Sequence, residues 1–580
     1  MPEVLGAKDL VDAAVAQAMV RVLPRELAAG DPLVRRSDRA DYQSNAALGL
    51  AKKAGIAPRE LAQALLDSLT GDLAAELSGP GFLNITLTDA ALWHIVAARL
   101  ADEQRMGVGA PAHGTRTLVD YSGPNIAKQL HVGHIRSTVI GDALVRVLTY
   151  LGADVVKVNH LGDWGTAFGK PIQYIDEHTD LSLDSIDLDA LDDVYKAAQQ
   201  QFVADPEFAV RARARVVALQ SGDEATLAAW HKLVEVSMDA FQALYQRLGI
   251  LLTPEDAVAE SFYNPWLGDV VSALDAKGLL TESEGAQCVF LDGFADSEGR
   301  PLPLIVRKSD GGYGYAATDL AAVRYRVEEV KAKRMLYVID ARQALHLRMV
   351  FETARQAGWL PDDVEAVHIP FGTILGTDGR PFRSRSGDTP RLKELLDAAI
   401  AGARAVVAEK SAELPPEEFE NVVQAAGIGA VKYADLSNAR IKDYVFDPDR
   451  MVSLTGNTSV YLQYAHARTC SVLRKADALL DTAADVDPAV PIHRAERSLI
   501  LTLDEFGAVL AEVGTTLEPH RLCTYLYELA KAFSDFWQNC PVLKADGAAQ
   551  RGNRVALVRL TQRTLAQGLD LLGISAPQRL

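Results

Sequence analysis

The stretch PNIAKQLHVGHIRS, residues 124–137, concentrates the chemistry-bearing side chains of the chain. His131 and His134 stand three apart around Gly133, with Lys128 just upstream. They fall where an expected strand gives way to an expected helix. A helix N-terminus offers free backbone N–H groups and a partial positive charge, which suits a phosphate. Gly133 has no side chain, so a flat ring could approach the backbone there. Two imidazoles facing a triphosphate can donate hydrogen bonds that tighten as charge moves onto the phosphate, which lowers a barrier. Charge-assisted bonds contribute roughly 1.5–3 kcal/mol each. Two histidines near a helix start can also simply cap it. The preceding strand, the Pro-Asn turn and Lys128 favour the phosphate reading. A zinc reading lacks a third ligand at suitable spacing.

Such residues need a scaffold that gathers strand ends. TRTLVDYSGPN, from Thr115, reads as a buried strand ending in a Ser-Gly-Pro turn, Gly133–Leu151 as a helix, and DVVKVNHLGDWG as a second strand and turn. Strand, helix, strand is the βαβ unit of a parallel sheet, where ligands bind at the carboxyl ends of strands. Asp163 is expected to shape the turn after the second strand. MLYVID (335–340) and VHIPFGTIL (367–375) resume strand patterning, and the charged text from about 173 to 310 reads as a helical insertion. Residues 1–110 read as a separate α/β unit, helix-like over Leu10–Val22 and Ala46–Leu69 and β-like over Gly81–Thr88. GAPAHG, residues 109–114, has linker composition. After about Glu413 the chain reads as all-helical. Leu522, Leu526, Leu529, Phe533 and Phe536 recur at helical spacing and are assigned to packing. The expected class is α/β: a Rossmann-type parallel-sheet domain over 111–410 with the insertion inside it, an N-terminal α/β domain over 1–110 and a helical domain over 411–580.

A chain of 580 residues is too long for one core, so several domains are expected. Hydrophobic residues at 48% and charged residues at 23% are ordinary for a soluble protein. No apolar run nears the roughly 20 residues of a membrane span, and acids occupy the start where a signal peptide would be basic. A cytoplasmic protein with no membrane partner is expected, and a monomer. Cys288, Cys470, Cys523 and Cys540 form no C-x-x-C pair, so reduced, packed thiols are expected rather than a zinc site or disulfides. The net charge of −18 speaks against a nucleic-acid partner, but only charge at the contact surface decides that. Residues 551–580 carry Arg551, Arg554, Arg559, Arg563 and Arg579 against Asp570 alone.

The 124–137 segment resembles the HIGH signature of class I aminoacyl-tRNA synthetases. Its context from Asp120 through Lys128 to His134 resembles the arginine-specific family, as do NHLGDWGTAFG (159–169), DYQSNAALGLAKK (41–53) and VYLQYAHAR (460–468). The resemblance implies a tRNA-elbow domain, a catalytic domain and an anticodon domain in that order. It implies ligation of L-arginine to arginine tRNA at the cost of ATP, with Mg²⁺ and without zinc, and a need for bound tRNA in the first step. The second family motif, a lysine-rich loop, has its place taken by GTDGRPFRSRSGD (376–388), with Arg383, Ser384, Arg385 and Ser386 but no lysine. Arginines on a glycine-containing loop suit a pyrophosphate, and the resemblance implies that Lys128 compensates for the missing lysine. A guanidinium substrate demands carboxylates. Asp319 stands four residues after Tyr315, on one helix face. Asn125, Tyr315, Asp319 and Gln343 match arginine-site positions, and Asp120 matches an acidic one, with Asp340 as the fallback acid. Gly123 stands where some relatives carry serine. Tyr42, Gln43 and Asn45 resemble elbow-contacting positions, and Tyr461, Gln463, Tyr464, His466 and Arg468 resemble the anticodon helix. Rival readings are another class I enzyme, glutamyl or cysteinyl, and a non-catalytic RNA-binding paralogue. Paired acids, the missing zinc ligands and the intact His131, Gly133, His134 and Asp319 weigh against them.

Overall fold

The computed structural model describes residues 6–164, 168–178, 187–382, 390–411, 413–477 and 486–580. At the N-terminus, β1 (Val34–Arg36), β2 (Tyr42–Ser44), β3 (Leu73–Ser78) and β4 (Phe82–Leu87) form an antiparallel sheet in the order β1-β2-β4-β3. The helix Ala7–Val22 packs against it. The expected helix over Ala46–Leu69 is two helices, Ala46–Ala54 and Pro58–Ser68. Gly55 ends the first in a left-handed conformation at φ 68°, and Pro58 opens the second, where its missing N–H has no helical partner to lose.

The site is positioned by an all-parallel sheet. β5 (Arg116–Asp120) leads into the helix Val132–Tyr150 and returns as β6 (Asp154–Val158). The insertion then runs through four helices, Gly169–Glu177, Leu188–Ala204, Pro206–Ser221 and Glu224–Leu248, to the helix Leu267–Ala276. Its last part, expected to be helical, is instead an antiparallel sheet of β7 (Thr281–Ser283), β8 (Ala286–Ala295) and β9 (Pro301–Arg307). In β9 exposed side chains alternate with covered ones, a period of two that a long charge-averaged window conceals. The helix Tyr315–Glu328 leads to β10 (Arg334–Tyr337), and Ala344–Gln356 to β11 (Glu365–His368).

The sheet order is β11-β10-β5-β6. The chain leaves β5 towards one edge and β10 towards the other, so the crevice of the sheet opens between those two strands. The register sets His368, Tyr337, Asp120 and Val158 in one row across the carboxyl ends.

Beyond the sheet, helices dominate, from Leu392–Ser411 through Pro416–Leu436 and Ser459–Asp477 to Ala548–Leu571. One strand pair interrupts them: β12 (Ile374–Leu375) runs parallel to β13 (Tyr444–Val445). The expected packing stripe holds, with Leu522, Leu526, Leu529, Phe533 and Phe536 all fully buried on the helix His520–Asn539. Burying each such side chain contributes about 1.5–3 kcal/mol.

Buried ion pairs join these parts. Arg99 of the N-terminal unit meets Asp504 of the helical one (Nε–Oδ1 2.9 Å). Arg136, on the helix after β5, meets Asp435 at 3.2 Å. Lys432 donates to the Leu248 carbonyl at 2.9 Å and faces Asp142 at 3.9 Å. No described helix is long and apolar enough to cross a membrane.

Candidate active site

At the crevice between β5 and β10 lies a cleft of about 650 Å³. One flank is the start of the helix Val132–Tyr150. His131 is its N-cap residue, and its Nδ1 accepts the Gly133 N–H at 3.0 Å. The His131 N–H donates to Nδ1 of His134 at 3.1 Å, and the two rings lie 3.9 Å apart. The histidines therefore do cap their helix, reciprocally. With Nδ1 accepting, the proton of a neutral imidazole sits on Nε2, which remains a donor. Both rings are pushed towards the neutral form. Burial, then the charges of Lys128 and Arg342, lower the His131 pKa. Burial, then His131, pushes that of His134 down to about 3. A Cβ on Gly133 would stand 2.8 Å from His131 Cε1, so the bare glycine leaves the capping ring its place.

Residues 383–389, and with them Arg383, Ser384, Arg385 and Ser386, lie outside the described residues. Their flanks do not. Before them, Phe382 N–H donates to the Ile374 carbonyl. After them, Val132 N–H donates to Pro390 O, and Leu392 N–H to Leu130 O, so His131 and Arg391 form a bridge. Lys128 is exposed, with Nζ 5.3 Å from the centre of the Tyr195 ring, and does not line the cleft.

The opposite flank is acidic. Asp319 and Tyr315, one helical turn apart, both line the cleft, as do Gly123, Asn125 and Gln343. Asp319 Oδ2 lies 2.6 Å from Nε2 of His346, whose pKa it raises through this hydrogen bond. Asp120 is present too, but buried and paired at 2.8 Å with the fully buried Arg326. Its charge is already matched by that guanidinium. Asp340, the fallback, is paired with Arg342 at 2.8 Å. Gly123 has φ 54°, and a Cβ there would meet the His160 carbonyl at 3.2 Å, a reason for glycine in place of serine. Asn125 Oδ1 fills the space that a Cβ on Gly162 would need, 2.1 Å away.

Sequence reasoning missed Glu260 and His346. Glu260 lines the cleft, and its carboxyl is pushed up to about 7 by burial and then by the charges of Asp163 and Asp319. Among the described residues no ion pair involves it. Its backbone runs beside the β6 turn, donating to Leu161 O at 2.9 Å. Asp163 fastens that arrangement by accepting from the Ser261 N–H at 2.9 Å, in line with its expected role in the turn. The only trace of Glu260 in the sequence is one acid among many in a charged stretch. His346 does carry a signal, standing three residues past Gln343 at helical spacing.

The residues expected to face RNA divide. Gln43 and Asn45 are half-buried at the surface of the N-terminal sheet, but the Tyr42 ring is buried and unable to stack on a base. On the helix Ser459–Asp477, Tyr461, Tyr464 and Arg468 are half-exposed, and Arg468 lies over the Tyr464 ring at 4.9 Å. Gln463 and His466 point inward instead. Gln463 donates to the Ala425 and Ser575 carbonyls, and His466 Nδ1 bonds Pro577 O, so both fasten the chain end rather than face RNA. Among the described residues no group of three or more His, Cys, Asp or Glu could hold a metal ion.

Three family models match the chain: the N-terminal domain of arginyl tRNA synthetases over 7–87, the catalytic domain of class I (R) tRNA synthetases over 95–448, and the DALR anticodon-binding domain over 462–580. A protein of Frankia casuarinae named arginine–tRNA ligase is 58% identical, with 98% of each chain covered. One of the same name from Streptomyces coelicolor is 48% identical over the whole of both. The arginyl-tRNA synthetase structure of Plasmodium falciparum superposes with a TM-score of 0.81 at 26% identity, covering 99% of each chain. That of Thermus thermophilus gives 0.77 at 25%, covering 99% of this chain and all of that one.

Proposed function

The chain belongs to the arginyl-tRNA synthetase family, and from that premise we propose how its cleft divides the work of an arginine–tRNA ligase. The enzyme activates L-arginine with ATP to arginyl-adenylate and transfers it to the 3′-terminal adenosine of arginine tRNA. In the first step the arginine carboxylate attacks the α-phosphorus in line, and pyrophosphate leaves. His131 and His134, neutral with Nε2–H donors, bond phosphate oxygens and strengthen their hold as negative charge builds there. Arg383, Arg385, Ser384 and Ser386 clamp the leaving pyrophosphate, and Lys128 adds positive charge beside His131. Magnesium would arrive on the triphosphate as part of the substrate, coordinated by phosphate oxygens and water.

The observation that carries the arginine site is a pair of acids lining one cleft, Asp319 and Glu260, neither of which forms an ion pair with a lysine or arginine among the described residues. Burial, then the charges of Asp163 and Asp319, raise the Glu260 carboxyl, and a guanidinium fork entering the cleft relieves both acids. Tyr315 walls that pocket, while Asn125 and Gln343 orient the amino-acid head at the mouth, beside Gly123. Asp120 acts through Arg326, shaping the floor. A neutral isostere would leave the acids unpaired and be rejected on the order of 10⁴-fold. In the second step the 2′-hydroxyl of the terminal adenosine attacks the adenylate carbonyl. Positioning and electrostatics suffice for both steps, so no protein nucleophile is needed. Gln43 and Asn45 meet the tRNA elbow, and Tyr461, Tyr464 and Arg468 offer rings and charge to splayed anticodon bases. The enzyme works as a monomer in the cytoplasm.

Arginine-dependent exchange of pyrophosphate into ATP tests this reading. Exchange is expected with arginine and arginine tRNA together, and little without the tRNA. A folded sample inert under both conditions would defeat it.

A further inference from the structure

Asp319 does not stand alone in its pocket. His346, on the helix Ala344–Gln356, brings Nε2 to 2.6 Å from Asp319 Oδ2 across to the helix Tyr315–Glu328. Both side chains line the cleft, and His346 is still 31% exposed. The neighbouring cations are engaged elsewhere, Arg326 on Asp120 and Arg342 on Asp340. His346 is thus the one cation-forming group that pairs with Asp319 among the described residues.

We propose that His346 is a positioning residue for arginine: its Nε2–H holds the Asp319 carboxylate at the angle the guanidinium needs, and its imidazolium occupies that carboxylate until the guanidinium arrives. The inference rests on Asp319 being the arginine acid, as proposed above. In the empty cleft the pair is one carboxylate and one imidazolium. An entering guanidinium is a second cation beside the first, and the two repel. The imidazolium then loses its Nδ1 proton to solvent and keeps Nε2–H on Asp319. Positive and negative charge balance before and after, so arginine exchanges for a proton rather than adding to the charge of the cleft. The carboxylate's upward pull on the imidazole, which outweighs the opposing effect of burial, supports the charged form when the cleft is empty.

Other titratable groups face the same space. Glu260 comes from beside the β6 turn and His160 from the turn itself, with the pairs Asp120–Arg326 and Asp340–Arg342 at the strand ends. Burial lowers the pKa of His160 and so favours its neutral form. Glu260 is the rival source of the proton, since its carboxyl is raised to about 7.

Calorimetric titration of arginine into the full-length enzyme, in buffers of different ionisation heat from about pH 6 to 8.5, counts the protons released. The wild type is expected to release protons, and Glu260→Gln to go on doing so. His346→Gln places an amide N–H near the position of Nε2 and has no titrating group. It should bind arginine within about threefold of wild type at the alkaline end, and its affinity should lose the His-dependent weakening towards acid pH. His346→Ala removes the holding bond and should bind about tenfold more weakly at every pH. The proposal is overturned if His346→Gln releases as many protons as the wild type, if Glu260→Gln abolishes the release, or if His346→Ala binds normally. Asp319→Asn tests the premise separately. Wild-type arginine affinity in that variant would remove Asp319 from the arginine site, whatever the histidine variants show.

Discussion

Each signature imidazole spends Nδ1 on its own helix, and in the function proposed above keeps Nε2 for the substrate, so the two duties can be parted by substitution. His134→Asn places a carbonyl oxygen near the position of Nδ1, so the cap survives while the Nε2–H donor is lost. Activation should fall about 10²–10³-fold with thermal stability nearly intact. His134→Ala loses both, and a further ~1 kcal/mol of stability should go with the cap. Pyrophosphate exchange beside a melting curve reads the split, and equal loss of stability in the two variants would contradict it. Glu260 offers a second test. Its carboxyl is raised from 4.5 to about 7 on folding, so the folded state binds the extra proton and stability falls as pH rises across that window. Glu260→Gln should therefore stabilise the arginine-free enzyme by about 1–3 kcal/mol above neutrality, with no gain below about pH 4.5, and should weaken arginine binding. Thermal melts at several pH values check the sign. At this scale the sequence was a partial guide. His131, Gly133, His134, Tyr315 and Asp319 were legible because motif and helical spacing mark them. The pairing of Asp120 with Arg326, and the place of Glu260, depend on contacts between distant segments that spacing does not encode.

The elements were legible where they are long and periodic. The βαβ unit at 115–158 and the helices after 413 follow from pattern alone. The break at Gly55 and Pro58 was readable from residue types, but an uninterrupted apolar rhythm hid it. Short strands such as β12 and β13 have only two residues each, too few for a period, yet they matter to the site. Gly372 shows how tightly that pair is built. A Cβ there would come within 2.8 Å of the Lys442 backbone and 2.6 Å of Asp443 Oδ1. Gly372→Ala should push the two segments apart and slow activation by about tenfold to a hundredfold, with arginine affinity less affected. Pyrophosphate exchange compared with equilibrium arginine binding would measure this, and parallel losses in both would point to general disruption instead.

At the scale of the whole molecule, the expected order of three parts holds, but nothing in the sequence indicated how they dock. Arg99 and Asp504 are 405 residues apart, and a single chain carries no record of which distant charges meet. Such buried pairs add little net stability, but leaving one partner unpaired costs about 3–5 kcal/mol. Arg136→Met should accordingly lower the melting temperature strongly, because Asp435 is wholly buried. The double variant Arg136→Met, Asp435→Leu should recover most of that loss. A double variant no more stable than the single one would show that the pair is not what joins the parts.

The backbone on either side of residues 383–389 stands on two different supports. Phe382 is tied through β12 to β13 on the helical side, and Pro390 is tied to Val132 at the mouth of the cleft. Whatever tilts the helical side against the sheet changes the span between those supports. A displacement far from the reacting atoms is therefore registered as a change in the distance from Phe382 to Pro390, with the cleft wall itself unaltered.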